Sequence, residues 1–350
     1  MESRVAIIGS GNWGSAISKI VGSNTKDSDV FESTVKMWVY EEIIDGKKLT
    51  DIINEQHENT KYLPNHKLPD NIVAIPDCVE AAKGADILVF VLPHQFVYRI
   101  CEELKPVVRR GCHAISLIKG VDFRGKELSL FSEEIERILG IPCAALSGAN
   151  IAIEVADEQF SEATIACRRI QEEGPIFQAL FHAPYFDVRV IGDISGLQVC
   201  GALKNVIALG AGFVDGLGLG DNTKAAVLRQ GLLEMRLFGK TFFGGVHTET
   251  FFESCGVADL ITTCSGGRNA RVARTFIQTS DSKTMDELER ELLNGQKLQG
   301  TTTAKEVYQF LQLQKKLDRF PLLVAIYRIV YEVAPPRSII NCLRTRQTFD

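Results

Sequence analysis

Short β-branched runs alternate with helical patterns through the first half of the chain. Strands are predicted at Arg4–Ile8, Thr34–Val39, Ile72–Ile75, Ile87–Leu92, His113–Ile118 and Cys143–Leu146. Several of these runs are apolar without interruption, as a parallel sheet covered by helices on both faces requires. Between them, apolar positions recur at helical spacing, as in Gly14–Val21 and His94–Leu104. This alternation predicts a doubly wound α/β domain. Two weaker strands, Ala163–Cys167 and Phe186–Ile191, extend the sheet. After Gly192-Asp193 the character changes, and from Gly196 onward helical periodicity runs on with almost no strand signal. The predicted organisation is a doubly wound domain over residues 1–193 and an all-α domain over 194–350. No internal repeat, low-complexity segment or long linker interrupts either part.

Composition narrows the function. The 350 residues carry 39 basic and 44 acidic side chains, a net charge of −5. No basic surplus exists to track a phosphate backbone, so nucleic acid is not an expected partner. A local basic pocket for one phosphate remains compatible with that sum. The nine Cys are odd in number, show no Cys-x-x-Cys spacing and sit mostly in apolar stretches. They read as small core hydrophobes in a reducing compartment. The six His are dispersed as well, so no metal site is expected. Met1-Glu2-Ser3-Arg4 leads directly into an apolar run, without a signal or transit segment. Apolar runs such as Ile87–Pro93 fall far short of the ~20 residues that cross a bilayer, so no membrane role is expected. The final Thr-Phe-Asp is neither a peroxisomal tripeptide nor a prenylation box. The expected location is the cytoplasm.

Gly9-Ser10-Gly11-Asn12-Trp13-Gly14 follows the apolar run Val5–Ile8 and opens a helical pattern over Ser15–Ile20. In that order the three glycines have distinct duties. Gly9 permits the tight turn, Gly11 lets a pyrophosphate approach the backbone, and Gly14 brings helix and strand together. The phosphates then rest on N–H groups at the helix start. The alternative is a glycine-rich structural turn. The second strand ends Trp38-Val39-Tyr40-Glu41-Glu42, where an acid can accept from ribose hydroxyls and repel a 2′-phosphate. No Arg stands there, so NAD is expected rather than NADP. Tyr40 either walls the adenine or belongs to the core. The fourth strand ends Val91-Leu92-Pro93-His94-Gln95-Phe96, at the edge where ligands of such sheets bind. Phe96 is expected near the cofactor; His94 reads either as a base or as a structural helix start.

Three further segments look chemical. Lys119 ends the otherwise apolar run Ser116-Leu117-Ile118-Lys119-Gly120, either to meet a phosphate or carbonyl oxygen or simply to reach solvent. Lys204, in Val199-Cys200-Gly201-Ala202-Leu203-Lys204-Asn205-Val206-Ile207-Ala208, shares a helical face with Gly201, Ile207 and Ala208. Burial there lowers a lysine pKa, and a lysine so tuned can hand a proton to a ketone and recover it. The alternative is a lysine that snorkels outward. In Asp259-Leu260-Ile261-Thr262-Thr263-Cys264-Ser265-Gly266-Gly267-Arg268-Asn269, a glycine pair precedes an Arg and a predicted helix over Asn269–Phe276. N–H groups plus a guanidinium make a cradle for a dianion. Asp259 and Thr263, one turn apart, can orient a lysine and a hydroxyl. The glycine-rich stretch Gly210–Asp221 lacks the nucleotide pattern and fits close helix packing instead.

Taken in order, the glycine motif, Pro93-His94-Gln95-Phe96, Leu117-Ile118-Lys119-Gly120, Gly148-Ala149-Asn150-Ile151-Ala152, Cys200-Gly201-Ala202-Leu203-Lys204-Asn205, Gly266-Gly267-Arg268-Asn269 and Leu293-Asn294-Gly295-Gln296-Lys297-Leu298-Gln299-Gly300 resemble the eukaryotic, cytosolic NAD-dependent glycerol-3-phosphate dehydrogenases. The resemblance covers nearly the whole chain. It implies a Rossmann-type domain followed by a helical one, a homodimer, and reversible reduction of dihydroxyacetone phosphate by NADH to sn-glycerol 3-phosphate. It assigns Lys204 as the catalytic acid/base, with Lys119, Asn205, Asp259, Thr263, Arg268 and Asn269 on the substrate. Toward the cofactor it assigns Gly9, Ser10, Gly11, Asn12, Trp13, Gly14, Tyr40, Phe96, Lys119, Ala152, Arg268, Lys297 and Gln299. Tyr40 stands where Phe is common, and Ser265 where Tyr is usual. Two other readings share the fold. One is a related 3-hydroxyacid dehydrogenase, with less need for the Gly-Gly-Arg-Asn cradle. The other is a non-catalytic NADH-sensing protein, which needs no proton donor.

Overall fold

Eight strands form the main sheet of the computed structural model, which describes residues 2–279, 282–293 and 297–344. They are β1 (Val5–Ile8), β2 (Val35–Trp38), β3 (Ile72–Ile75), β4 (Ile87–Phe90), β5 (His113–Ser116), β6 (Cys143–Gly148), β7 (Ser161–Ala166) and β8 (Phe186–Ile191). Their spatial order is β3-β2-β1-β4-β5-β6-β7-β8. All neighbours are parallel except β6 with β7, where Leu146 faces Ile165. The sequence pattern explains the order. The central strands Val-Ala-Ile-Ile and Ile-Leu-Val-Phe are buried at every position, whereas the edge strand β3 alternates buried and open positions. Val5 and Ile7 pack on one face with Ile17 and Val21; Ala6 and Ile8 pack on the other with Val97, Ile100 and Leu104.

Two predicted strands are shorter than their apolar runs. β4 stops at Phe90 and β5 at Ser116, so Val91-Leu92 and Leu117-Ile118-Lys119 lie past the strand ends. The reason is the central strand. β1 ends at Ile8, opposite Phe90, and the chain then turns away at Gly9, so the ladder runs out with Val91 N on the Ile8 carbonyl and Leu117 N on the Phe90 carbonyl. Strand order reverses at β1 and β4, which places the ligand crevice of this fold at their carboxyl ends.

By contacts the chain divides into two compact units. The first takes the chain up to Lys119 and Leu130–Ile194; the second takes Gly120–Ser129 and the chain from Ser195 onward. The second unit is helical, apart from a small hairpin of Val121–Arg124 with Glu127–Leu130 that the apolar pattern does not announce. Phe123 of that hairpin packs edge-on against Phe310 at 5.7 Å. The unit is built around α2 (Ile194–Gly216), which follows α1 (Asn12–Lys26) of the first unit in our numbering. Searching for uninterrupted apolar runs overlooks α2, because Gln198, Lys204 and Asn205 punctuate it. It is long and apolar enough to cross a bilayer, yet 94% of its most apolar window is buried inside the protein. An all-round apolar helix of this kind is a core helix. Against it pack α3 (Asp221–Phe242), α4 (Asp259–Gly266), α5 (Arg268–Gln278), α6 (Gln299–Leu313) and α7 (Pro321–Tyr331). Of the glycines in 210–221, Gly210, Gly212 and Gly216 serve that packing, whereas Gly218 and Gly220 follow the helix in open space. A Cβ on Gly212 would lie 2.3 Å from the Ala270 carbonyl oxygen, and one on Gly216 would lie 2.6 Å from Ile277.

One buried acid ties this core together. Glu234 of α3 is fully buried and accepts from the first turn of α7, at 2.9 Å from Leu322 N and 3.0 Å from Leu323 N. Gln230 donates to the same carboxylate at 3.0 Å. The side chain thus caps a helix to which it does not belong. Burial pushes its pKa up to about 7, against the lowering effect of those three donors. A raised carboxyl pKa means the folded state holds a proton that the unfolded state has released. Stability therefore falls as pH rises from about 4.5 to about 7, and is flat in this respect above that window. The drop amounts to about 3 kcal/mol if the shift is fully expressed. Urea unfolding between pH 5 and 7.5 should show it, and Glu234→Gln should remove that part of the slope. An identical slope in the variant would assign the pH dependence elsewhere.

Candidate active site

The first unit carries the glycine turn. Gly9 has φ +124°, and a Cβ there would lie 2.2 Å from the Val91 carbonyl oxygen. A Cβ on Gly14 would lie 2.5 Å from the Gly9 carbonyl oxygen, whereas one on Gly11 would touch nothing within 4 Å. Two glycines therefore serve close approach within the protein, and the middle one faces open space that a ligand can fill. α1 begins at Asn12 with no side-chain cap and no acid in its first turn. Its N–H groups and dipole are thus directed at an anion rather than at the protein's own carboxylates. These features fit a dinucleotide pyrophosphate. Trp13 packs with Ala16, Leu63, Ala152 and Ala156, which brings Ala152 against α1. Ser10 is buried, and Asn12 donates to the Tyr62 carbonyl oxygen at 2.8 Å.

Beyond the ends of β2 and β4 two of the singled-out aromatics are open to solvent. Tyr40 is 68% exposed, so it is no core residue, and Phe96 is 40% exposed. The acids beside Tyr40 are already engaged, contrary to the expectation that one waits for a ribose. Glu41 accepts from Thr50 N at 3.2 Å and Thr50 Oγ1 at 2.6 Å; Glu42 accepts from Tyr62 Oη at 2.7 Å and pairs with Lys61. Their negative charge still disfavours a 2′-phosphate. The His94 ring lies tilted against Phe131 at 5.5 Å, in keeping with a structural helix start. Lys119 is half-buried, and its ammonium donates to the Gly148 carbonyl oxygen at the end of β6, 3.1 Å away.

In the second unit, Lys204 of α2 points inward and is only 7% exposed. It does not snorkel. Its ammonium donates to Asp259 Oδ1 and, at 2.9 Å, to Thr263 Oγ1, which in turn donates to Asp259 Oδ1 at 3.4 Å. Asp259 is buried at the first position of α4, directly after a π-helical turn over Ser254–Ala258. Gly256 makes that turn possible, since a Cβ would lie 2.4 Å from the Phe251 carbonyl oxygen. Asp259 and Thr263, one turn apart, both meet this one lysine.

Beside this triad lies an amide chain. Asn269 donates to Asn205 Oδ1 at 3.1 Å and accepts from Gly300 N at 3.0 Å. α5 starts at Arg268 rather than Asn269, with Gly267 as an open cap and no acid in its first turn. Desolvation and then the neighbouring Arg271 lower the Arg268 pKa, although the residue as a whole is exposed. Ser265 turns its hydroxyl back to the Ile261 carbonyl oxygen at 2.8 Å. Lys297 is exposed and paired with Glu289 at 2.7 Å, apart from the triad's hydrogen bonds, and Gln299 is exposed at the first position of α6. Asn294, Gly295 and Gln296 of the same motif lie outside the described residues. All nine Cys are buried thiols without disulfides.

Sequence reasoning missed three participants. Asn59, fully buried, donates to the Ser10 carbonyl oxygen at 2.8 Å. Gly148 supplies the acceptor for Lys119. Gly300 lies so close to the amide chain that a Cβ would sit 2.5 Å from Asn269 Oδ1 and 2.6 Å from the Asn205 carbonyl oxygen. A glycine at the second position of a helix, directly after a singled-out Gln, was the available signal for the last. Asn59 offered none.

A glycine turn into an uncapped helix start, and a buried lysine held by an aspartate and a threonine, fit one class: a two-unit, nucleotide-dependent dehydrogenase. Comparison with known proteins is more specific. Residues 4–173 match the model for the N-terminus of NAD-dependent glycerol-3-phosphate dehydrogenase, and residues 193–341 match that for its C-terminus. The chain is 56% identical over 342 residues to the cytoplasmic NAD(+) glycerol-3-phosphate dehydrogenase of Homo sapiens, covering 97% of each. It is 54% identical to the glycerol-3-phosphate dehydrogenase 1-like protein of Homo sapiens, covering 98% of this chain and 97% of that one. The solved structure of glycerol-3-phosphate dehydrogenase from Saccharomyces cerevisiae superposes with a TM-score of 0.94 at 48% identity, over 99% of this chain and 100% of that one. The chain belongs to the NAD-dependent glycerol-3-phosphate dehydrogenase family.

Gly300→Ala tests the crowding at the amide chain. Overpacking and loss of the Asn269 bond should cost about 1–3 kcal/mol, outweighing the better helix propensity of Ala. A urea midpoint equal to wild type would show that the contact relaxes freely.

Proposed function

We propose that this chain is a cytoplasmic, NAD-dependent glycerol-3-phosphate dehydrogenase, interconverting dihydroxyacetone phosphate and sn-glycerol 3-phosphate, and that it works as a homodimer. The observation that carries the reading is the buried Lys204–Asp259–Thr263 triad within the same unit as the Arg268–Asn269 helix start. A proton donor and an oxyanion cradle in one unit are what a phosphorylated ketone requires. The cytoplasmic assignment follows the names of the relatives.

The nicotinamide, when bound, supplies hydride to the carbonyl carbon or takes it back. Gly9 to Gly14, with Tyr40, Phe96 and Ala152, would hold that cofactor in the first unit; Arg268, Lys297 and Gln299 are proposed cofactor residues that belong to the second unit. Lys204 gives a proton to the ketone oxygen as negative charge develops there, and recovers it in the reverse direction. Asp259 and Thr263 fix the ammonium, so little reorganisation accompanies the transfer. Arg268, Asn269 and Asn205 grip the phosphate end, and that remote binding energy orients the reacting carbon. Lys119 adds a second positive charge for substrate and cofactor.

Absorbance loss of NADH should be fast with dihydroxyacetone phosphate, and slow with unphosphorylated dihydroxyacetone or with NADPH. NADH binding without turnover would instead favour the sensing protein. Lys204→Met should depress turnover by roughly 10²–10⁴-fold with NADH affinity kept. Near-normal turnover in a folded variant would remove Lys204 from the chemistry. Arg268→Ala should raise KM for the phosphorylated substrate by about 10–100-fold, well beyond any change in NADH affinity. Equal losses would make Arg268 chiefly a cofactor contact.

A further inference from the structure

We propose that Asn59 is a positioning residue for the dinucleotide: it sets the Ser10–Gly11 peptide so that the Gly11 N–H faces the pyrophosphate. The inference rests on the dinucleotide-binding reading above and deepens it. Asn59 is fully buried in the segment that follows the helix Leu49–Gln56. Its Nδ2 donates to the Ser10 carbonyl oxygen at 2.8 Å and to Ser15 Oγ at 2.9 Å. Ser15 Oγ in turn donates to the same Ser10 carbonyl at 3.1 Å. Two donors thus draw that carbonyl toward the buried side.

A trans peptide is planar, with its C=O and N–H pointing in opposite directions. No described peptide bond is cis. Drawing the Ser10 carbonyl inward therefore turns the Gly11 N–H outward, and a Cβ on Gly11 would meet nothing within 4 Å, so there is open space beside this residue. The hold is doubled across the glycine. Asn59 Oδ1 accepts from Tyr62 N at 3.1 Å, and the Tyr62 carbonyl accepts from Asn12 Nδ2 at 2.8 Å. Residues 10 and 12 are both bound to one short segment, with Gly11 between them. Tyr62 Oη and Lys61 anchor that segment to Glu42, just beyond the end of β2. An apolar contact would fill the same space without fixing the rotation of the peptide plane; a bidentate amide fixes it.

Equilibrium dialysis with ADP and with adenosine separates this role from a general contribution to folding, since only ADP carries the pyrophosphate. Asn59→Ala should weaken ADP by about tenfold or more while adenosine changes by less than about twofold, and NADH should follow ADP. Asn59→Asp keeps the size and the acceptor for Tyr62 but sets a carboxylate oxygen against the Ser10 carbonyl, so it should show the same selective loss. Ser15→Ala removes a single hydroxyl, disturbs the fold least, and should give a smaller loss of the same selectivity. Unchanged ADP affinity in a folded variant, or equal losses for ADP and adenosine, would overturn the positioning role alone. Failure of the unsubstituted protein to bind ADP would overturn the dinucleotide reading and this inference with it.

Discussion

A lysine ammonium enclosed by an apolar helix must be given a counter-charge from elsewhere in the fold. α2 buries Val199, Leu203, Val206, Ile207 and Phe213 on all its sides, and Lys204 stands among them. Leaving that charge unpaired would cost several kcal/mol. Asp259 and Thr263 answer it from α4, and the demand reaches further than those two contacts. Asp259 is delivered at a helix start by a π-turn that only a glycine at 256 permits. α5 comes close enough to present Arg268 and Asn269 because Gly212 and Gly216, four residues apart on α2, leave room for its backbone. A buried ion pair is weak evidence for stability in itself. Here the apolar packing of helix against helix stabilises the unit, and the ion pair relieves the cost of the buried ammonium.

The first unit solves a related problem with backbone instead of charge. Its sheet supplies a rigid edge, and the turn from β1 into α1 must pass so close to Val91 that Gly9 has no room for a Cβ. A turn without side chains has little to hold it in one conformation. Asn59, Ser15 and Tyr62 supply the missing constraint through hydrogen bonds to the turn's own backbone and to Asn12. The glycines and the buried amide are therefore two halves of one device.

Much of this was legible in the residues, and the rest failed for physical reasons. The strands and the glycine turn were readable because apolar continuity and glycine at fixed offsets report local geometry. Asp259 and Thr263 were readable because one helical turn separates them. Residues whose role depends on a distant partner were not. Glu41 and Glu42 look like ribose acceptors until Thr50, Lys61 and Tyr62 are seen to occupy them. Asn59 resembles any loop asparagine, and its function exists only because the segment 59–62 folds back against residues 10–15. The strand ends at Phe90 and Ser116 were misread because the point where a neighbouring strand stops, Ile8 beside β4 and Phe90 beside β5, is invisible in the runs themselves.

Helix starts show how each unit treats its free N–H groups. A helix start leaves N–H groups that must find acceptors. α7 has no cap of its own, and Glu234 reaches in from α3 to provide one. α6 has none either, and Asn269 accepts from its second residue, Gly300. The helix at Met285–Leu292 carries its own capping box from Thr284 and Glu287. α1 and α5 are treated differently. Each begins after a glycine, with no side-chain cap and no acid in its first turn. α3 also follows a glycine without a side-chain cap but has Asp221 in its first turn, whereas the acid-free starts of α1 and α5 fit the anion contacts proposed for them.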